Sequence, residues 1–187
     1  MEDIILESDG ENLIGLYFFN DSHKNIDKFE ENSTLPIFEQ TKNWLDDYFC
    51  GKEQTKVPKY KLPDASEFRR RVWEIIQKIP YGKTITYGEI ANIIAKERGI
   101  EKMSAQAVGN ALNQNPICII IPCHRVIGKS GNLVGYGGGM NNKKILLELE
   151  HKKTRKWNSF SSYFFLLSLF LNQNSKVVFF NCVCCWT

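Results

Sequence analysis

The chain has 187 residues and a net charge of +3, and 43% of its residues are apolar while 24% are charged. These are the values of an ordinary globular protein with one or two small domains rather than of a disordered chain. Every charged residue after Glu150 is basic, so the rest of the chain is close to neutral and bulk charge alone does not indicate nucleic-acid binding.

The first part of the chain predicts a small α/β unit. Residues 3–6 and 13–19 have strand-like composition, with turn-forming residues at 8–12 between them. Residues 35–49 predict a helix, because one helical face collects Phe38, Thr41, Leu45, Tyr48 and Phe49. The polar stretch 50–67 contains two prolines and has the composition of a linker.

The middle of the chain predicts three helices. Apolar residues at helical spacing cover 68–76, and Pro80 marks the end of that helix. Thr86 and Glu89 then fit a capping box that begins a second helix, which Gly99 ends.

Ser104 can cap the third helix, whose polar side holds Gln106, Gly109, Asn110 and Asn113. Two short capped helices joined by a brief turn are typical of a helix-turn-helix, or of a helical hairpin with a solvated face. The pattern alone does not separate these two readings. The absence of Lys and Arg from the polar side is unusual for a helix that reads the major groove.

The apolar run 117–121 predicts a buried strand, and the tetrad Pro122-Cys123-His124-Arg125 follows it. A base beside a cysteine raises the thiolate fraction, so Cys123 and His124 are a candidate nucleophile and base. The alternative is a buried structural cysteine beside a satisfied histidine. Cys118 is expected to be a small buried hydrophobe rather than a second nucleophile.

After this strand, residues 135–140 form a glycine-rich run that could cradle a phosphate, line a pocket with bare backbone or be a flexible loop. The spacings of nucleotide-binding motifs are absent. Asn141 can cap a last helix that turns Ile145, Leu146 and Leu149 inward and reaches Glu150.

The end of the chain does not match the rest. The apolar segment 160–171 is shorter than the roughly 20 residues of a membrane span. We interpret residues 152–187 as an appended extension that adds nothing to the chemistry; the alternative is a tail that docks on the body of the protein or on a membrane surface.

Glu2 and Asp3 stand where a secretory signal would need cations, and the cysteines do not form the paired pattern of a structural zinc site. We therefore expect no metal. We also expect a reducing compartment, which is the cytoplasm or, in a eukaryote, the nucleus.

Several sequence blocks occur in a fixed order between residues 68 and 150: 68–73, 79–84, 86–91, 107–111, 115–116, 121–128 and 135–138. Together they resemble the methylated-DNA–protein-cysteine methyltransferase family, which removes alkyl groups from 6-O-alkylguanine. The resemblance implies an N-terminal ribonuclease-H-like α/β domain (1–62) and a mostly α-helical, winged helix-turn-helix DNA-binding domain (66–151). It leaves 152–187 as an atypical apolar extension.

The resemblance also implies roles for individual residues. Cys123 would be the alkyl acceptor, and His124, working through a water and oriented by Glu150, would draw off the thiol proton. Tyr87 would protonate the leaving guanine, and Asn115 would brace the hinge and the active-site strand. DNA or base contacts are implied at Gln106, Ala107, Gly109, Asn110, Arg125, Val126, Tyr136, Gly137 and Gly138.

One position departs from the family. Gln106 stands where relatives insert an arginine into the minor groove, so we expect weaker electrostatic binding. The implied partner is double-stranded DNA carrying an alkylated guanine, bound by a monomer without a cofactor. Because a thioether has no ready leaving group, each molecule should react once.

Structural readings of the same residues remain open. Tyr87 could simply begin its helix, Glu150 could be a solvated carboxylate and residues 115–116 a turn, while Arg125 could pair with a carboxylate. Two other functions also remain. A lesion-binding module without transfer would carry tryptophan in place of Cys123. A helix-turn-helix regulator that senses alkylation would be expected to have a second DNA-binding domain or an added cluster of sensor cysteines, and the sequence shows neither.

Overall fold

The computed structural model describes residues 4–18, 34–51, 56–154 and 176–180. The fold is mixed α/β and divides into two compact units, one of Met1–Pro63 with Arg155–Thr187 and one of Asp64–Thr154. In chain order the elements are β1 (Ile4–Ser8), β2 (Leu13–Phe18), α1 (Pro36–Phe49), α2 (Glu67–Gln77), β3 (Ile85–Thr86), α3 (Tyr87–Glu97), α4 (Ala105–Asn113), a 3-10 turn (Cys123–Arg125), β4 (Val126–Ile127), α5 (Met140–Thr154) and β5 (Lys176–Phe180).

The N-terminal unit contains an antiparallel sheet in the order β2-β1-β5. The turn between β1 and β2 forms because the Asp9 carboxylate accepts hydrogen bonds from the backbone of Glu11 and Asn12. The predicted strands and helix of this unit are confirmed. The stretch interpreted as a linker is partly fixed, since Leu13 exchanges backbone hydrogen bonds with Lys59 and Lys61.

The end of the chain contributes β5, which pairs antiparallel with β1 so that Ile4 lies opposite Phe180. This pairing favours the reading in which the tail docks on the body of the protein. The apolar segment 160–171 lies outside the described residues. Within the described part of the chain, no helix has the length and apolar character needed to cross a membrane.

The C-terminal unit is built on α2, α3 and α4, which pack against one another. The indole N–H of the buried Trp73 in α2 donates to the carbonyl of Ala111 in α4 at 3.0 Å. The predicted capping box of Thr86 and Glu89 is confirmed at the start of α3, and Ser104 caps α4 as predicted. Local sequence therefore places the beginnings of both helices.

A parallel pair of short strands, β3 and β4, joins distant parts of this unit. Ile85 lies opposite Val126, and Thr86 lies opposite Ile127. The start of α3 is thereby held beside the residues that directly follow the tetrad.

The prediction of a buried strand at 117–121 is wrong, because this stretch is a compact turn. The backbone N–H of Ile120 donates to the carbonyl of Cys118 at 2.8 Å, and Ile119 between them has φ +68°. This is a γ-turn with a left-handed, β-branched central residue, which is a strained arrangement. An apolar run predicts burial, which is observed except at the half-buried Ile120. The backbone hydrogen bonds donated by Ile120 and Ile121 close locally.

The proline of the tetrad makes a second tight turn. Pro122 has φ −82° and ψ 64°, and the N–H of Cys123 donates to the carbonyl of Ile121 at 2.8 Å, which is an inverse γ-turn. The 3-10 turn begins at Cys123. The expected cap at Asn141 is also wrong, since α5 already begins at Met140.

Candidate active site

The sulfur of Cys123 is buried and held by Asn115. The side-chain amide of Asn115 donates to the sulfur at 3.0 Å and to the carbonyl of Ile121 at 2.8 Å. Its oxygen accepts from the backbone of Ile117 at 3.1 Å. Asn115 follows α4 by two residues, so one side chain connects this helix to both tight turns and to the thiol.

The pKa of Cys123 lies below its ordinary value. The largest cause is a hydrogen bond from the thiol of Cys118; burial opposes the shift, and the Asn115 amide and the positive charge of Lys143 add to it. Donors and a nearby cation stabilise the thiolate more than the thiol. The environment therefore favours a nucleophilic sulfur.

His124 and Glu150 form the predicted pair, and both side chains are inaccessible to solvent. His124 Nε2 lies 2.9 Å from Glu150 Oε1. Because an ionised carboxylate only accepts hydrogen bonds, Nε2 carries the hydrogen, and in the neutral ring Nδ1 then has the lone pair that can accept a proton.

Glu150 also receives two further donors. The guanidinium of Arg125 contacts both carboxylate oxygens at 2.8 to 3.1 Å, and the backbone N–H of Gly82 donates at 2.9 Å. Another guanidinium nitrogen donates to the carbonyl of Ile79 at 2.6 Å. Arg125 therefore pairs with a carboxylate, which confirms the structural role predicted for it as an alternative. The alternative prediction that Glu150 is a solvated carboxylate is wrong.

These contacts fix the charge states of the pair. Burial alone would raise the pKa of Glu150, but the hydrogen bonds from His124 and Arg125 outweigh it and hold this pKa well below its usual range. For His124, burial is the dominant cause and lowers the pKa despite the carboxylate beside it. At neutral pH the pair is therefore a carboxylate and a neutral imidazole.

Tyr87 begins α3 and directs its hydroxyl to the loop before α5. The hydroxyl donates to the carbonyls of Val134 (2.9 Å) and Gly135 (3.0 Å). Burial, with a smaller effect of the charge on Cys123, raises the pKa of Tyr87 to about 12. The phenol is therefore protonated at neutral pH and can act as a proton donor.

Sequence reasoning missed Lys143, which is completely buried. Its ammonium donates to the carbonyls of Val134 (3.0 Å) and Gly135 (3.4 Å) and lies 5.7 and 5.9 Å from the ring centres of Tyr87 and Tyr136. Burial lowers its pKa to about 8, against the attraction of Cys123. The available signal was spacing, because Lys143 precedes Glu150 by seven residues and so shares its helix face.

The remaining predicted contact residues are spread over two elements and one loop. Gln106, Ala107, Gly109 and Asn110 lie on α4, with Gln106 and Asn110 exposed. Val126 is buried in β4, and Tyr136, Gly137 and Gly138 precede α5. A Cβ on Gly109 would contact the ring of Tyr87 at 3.8 Å, so this glycine faces the site. The described residues contain no cluster of side chains suited to a metal.

The family model and the curated relatives that match this chain are all of one kind. The family model for the DNA binding domain of 6-O-methylguanine DNA methyltransferase matches residues 67–152. The methylated-DNA–protein-cysteine methyltransferase of Haemophilus influenzae is 34% identical over 149 residues, which cover 79% of this chain and 79% of that protein. Its counterpart in Methanosarcina mazei is 40% identical over 152 residues, covering 81% and 92%.

Solved structures of the same kind share the fold. A crystal structure of Mycobacterium tuberculosis OGT in complex with DNA has a TM-score of 0.64 and 38% identity, covering 80% of this chain and 87% of that chain. An O6-methylguanine DNA methyltransferase from Methanococcus jannaschii has a TM-score of 0.59 and 27% identity, covering 87% and 98%.

Removal of the buried charge in Lys143→Met should raise the pKa of Cys123, since a nearby cation favours the thiolate. The rate of iodoacetamide labelling of Cys123 against pH measures this shift. Lys144→Met is the matched control, because its ammonium is mostly exposed and pairs only weakly with Glu148 at 3.9 Å. Equal titration curves for the two variants would contradict a role of Lys143 in thiol ionisation.

The buried pair should also make the C-terminal unit sensitive to acid. The folded pKa values of His124 and Glu150 lie below their ordinary unfolded values of about 6.5 and 4.3. As pH falls through those values the unfolded chain binds more protons, so the free energy of unfolding decreases. Hydrogen exchange of α5 amides at a series of pH values measures this loss.

In the variant Glu150→Gln, the free energy of unfolding should no longer fall with pH below about pH 5. The variant should also be destabilised by roughly 3 kcal/mol at neutral pH, because Arg125 loses its buried partner. Glu148→Gln, on the exposed side of the same helix, should keep the wild-type slope. A wild-type slope in Glu150→Gln would show that another group titrates.

Proposed function

This chain belongs to the methylated-DNA–protein-cysteine methyltransferase family, and on that premise we propose that it repairs DNA by transferring an alkyl group from 6-O-alkylguanine to Cys123. A second candidate substrate is 4-O-methylthymine. The observation that carries the proposal is the environment of the Cys123 sulfur. The thiol has a lowered pKa and accepts a hydrogen bond from Asn115. The next residue is a neutral His124, which Glu150 holds in place.

We infer the finer architecture from the same premise. The N-terminal unit is a ribonuclease-H-like domain, and the C-terminal unit is a winged helix-turn-helix domain in which α4 contacts DNA. Supporting this, a surface groove of about 680 Å3 is lined by Gly88 of α3, by Lys102 and Ser104 of the connection to α4, and by Gln106 of α4. The relative from Mycobacterium tuberculosis was crystallised with DNA.

The exposed side of α4 favours the minor groove. Gln106 and Asn110 are exposed there, and the helix carries no lysine or arginine. The commonest specific contact in the major groove is made by arginine or lysine, which α4 lacks, whereas minor-groove proteins that kink DNA insert a side chain between base steps. Gln106 is the residue that would take this place, with reach and hydrogen bonding but without charge.

The alkylated base must leave the duplex before it can react. Attack on the alkyl carbon has to be in line with the carbon–oxygen bond, and a stacked base does not expose that direction. The extruded base would occupy the space bordered by Tyr87, Tyr136 and the backbone of residues 134–138, beside Cys123.

The reaction then needs no cofactor. His124 Nδ1 accepts the thiol proton through a water, and the sulfur attacks the alkyl carbon. The new carbon–sulfur bond forms as the carbon–oxygen bond breaks, and the departing guanine anion takes a proton from Tyr87. The thioether has no acceptable leaving group, so the protein acts once and its sulfur stays alkylated.

An unmodified thiol is therefore the active form. This requirement agrees with a reducing compartment, and we place the protein in the cytoplasm or, in a eukaryote, the nucleus.

The test is incubation with a duplex that carries one labelled 6-O-methylguanine. Label should move to Cys123 with at most one equivalent per protein and should be absent from Cys123→Ala, whereas Cys50→Ala, at an exposed cysteine, should react normally. Fragment mass spectra locate the label. Repair of the base with an unmodified Cys123 would refute direct transfer.

The variant Gln106→Arg should bind duplex DNA more tightly and steepen the dependence of log affinity on log salt by about one. Fluorescence anisotropy at several salt concentrations measures both quantities. Gln77→Arg, which adds the same charge at the end of α2, should change the slope less. If both variants bind like the wild type, Gln106 does not contact the nucleic acid.

A further inference from the structure

A second thiol of the C-terminal unit lies against the proposed acceptor. Cys118 and Cys123 are both buried and both reduced. The thiol of Cys118 is a hydrogen-bond partner that lowers the pKa of Cys123, and only residues 119–122 separate the two cysteines. The proposed transfer uses only one of them.

The backbone between these residues keeps the two thiols together. The γ-turn at Ile119 follows Cys118, and the inverse γ-turn at Pro122 precedes Cys123. A further hydrogen bond from the N–H of Ile121 to the carbonyl of Ile117 (3.0 Å) closes the loop. Two tight turns therefore reverse the chain within five residues and keep both cysteines in one buried segment.

We propose that Cys118 is a resolving thiol, which forms a reversible disulfide with Cys123 when a peroxide oxidises the acceptor. This modification would mask the sulfur and stop alkyl transfer until a dithiol reduces the bond. The consequence for activity rests on the proposed function, but formation of the disulfide does not.

The steps balance as follows. The Cys123 thiolate attacks one oxygen of hydrogen peroxide, which breaks the oxygen–oxygen bond, forms a sulfenic acid and releases hydroxide that becomes water with the thiol proton. The sulfur of Cys118 then attacks the sulfur of Cys123, so the sulfur–sulfur bond forms as the sulfur–oxygen bond breaks. The hydroxyl leaves with the Cys118 proton as a second water. The two thiols lose two electrons, which the peroxide gains.

The geometry also gives the order of events. Cys123 receives donors from Asn115 and Cys118 and is stabilised as a thiolate by the charge of Lys143, so its sulfur is the one that attacks the peroxide. Without a neighbouring thiol, a sulfenic acid proceeds to sulfinic and sulfonic acids, which dithiols do not reduce. Cys118 would divert the oxidised acceptor into a form that can be recovered.

The experiment uses the full chain treated with hydrogen peroxide in steps. Trypsin should release both cysteines in the peptide 103–125, which lies between Lys102 and Arg125. In the wild type this peptide should lose two hydrogens, and alkyl transfer to a labelled 6-O-methylguanine duplex should fall in proportion. Dithiothreitol should restore both the peptide mass and the transfer.

The variants Cys118→Ala and Cys118→Ser should instead accumulate sulfinic acid at Cys123, with a loss of transfer that dithiothreitol does not restore. Cys50→Ala is the control and should behave like the wild type. Equal accumulation of sulfinic acid with and without Cys118, a disulfide from Cys123 to another cysteine, or resistance of the peptide to peroxide would each overturn the proposal. If the peptide forms the disulfide but the untreated protein transfers no alkyl group, only the proposed function fails.

Discussion

The carboxylate of Glu150 is the interaction on which the C-terminal unit depends. It is inaccessible to solvent and accepts hydrogen bonds from His124, from Arg125 and from the backbone of Gly82. A buried carboxylate without donors would be strongly destabilising. The three donors come from the 3-10 turn and from the loop after α2, and the acceptor belongs to α5. One ionised group therefore holds three separate segments in register and also fixes the imidazole.

A different residue, Asn115, positions the thiol of Cys123. Asn115 follows α4 by two residues and donates to both the sulfur of Cys123 and the carbonyl of Ile121. The helix that we place on DNA is thus linked to the thiol by a short backbone segment and one amide. Because Glu150 and Asn115 restrain opposite sides of the tetrad, the sulfur and the imidazole keep their arrangement in a strained turn that apolar packing alone would not specify.

The charged and protonated groups of the site are arranged in a way that suits alkyl transfer to the sulfur of Cys123. Lys143 supplies a buried positive charge near the thiol, while Tyr87 keeps its proton. Both groups meet at the carbonyls of Val134 and Gly135. The exposed loop before α5 therefore brings together a cation that favours the thiolate and an acid that can protonate a departing anion.

The sequence by itself determined helices α2, α3 and α4 and the candidate residues around Cys123, because caps, apolar spacing and ordered sequence blocks are local signals. Tertiary structure alone decided the path of residues 117–121, the burial of Lys143 and the pairing of β5 with β1. These features depend on hydrogen bonds and charges between residues far apart in sequence, or on a turn whose strain the surrounding packing must sustain. An apolar run carries no local signal for such partners, and the spacing of Lys143 to Glu150 indicates a shared helix face but not the groups that Lys143 contacts.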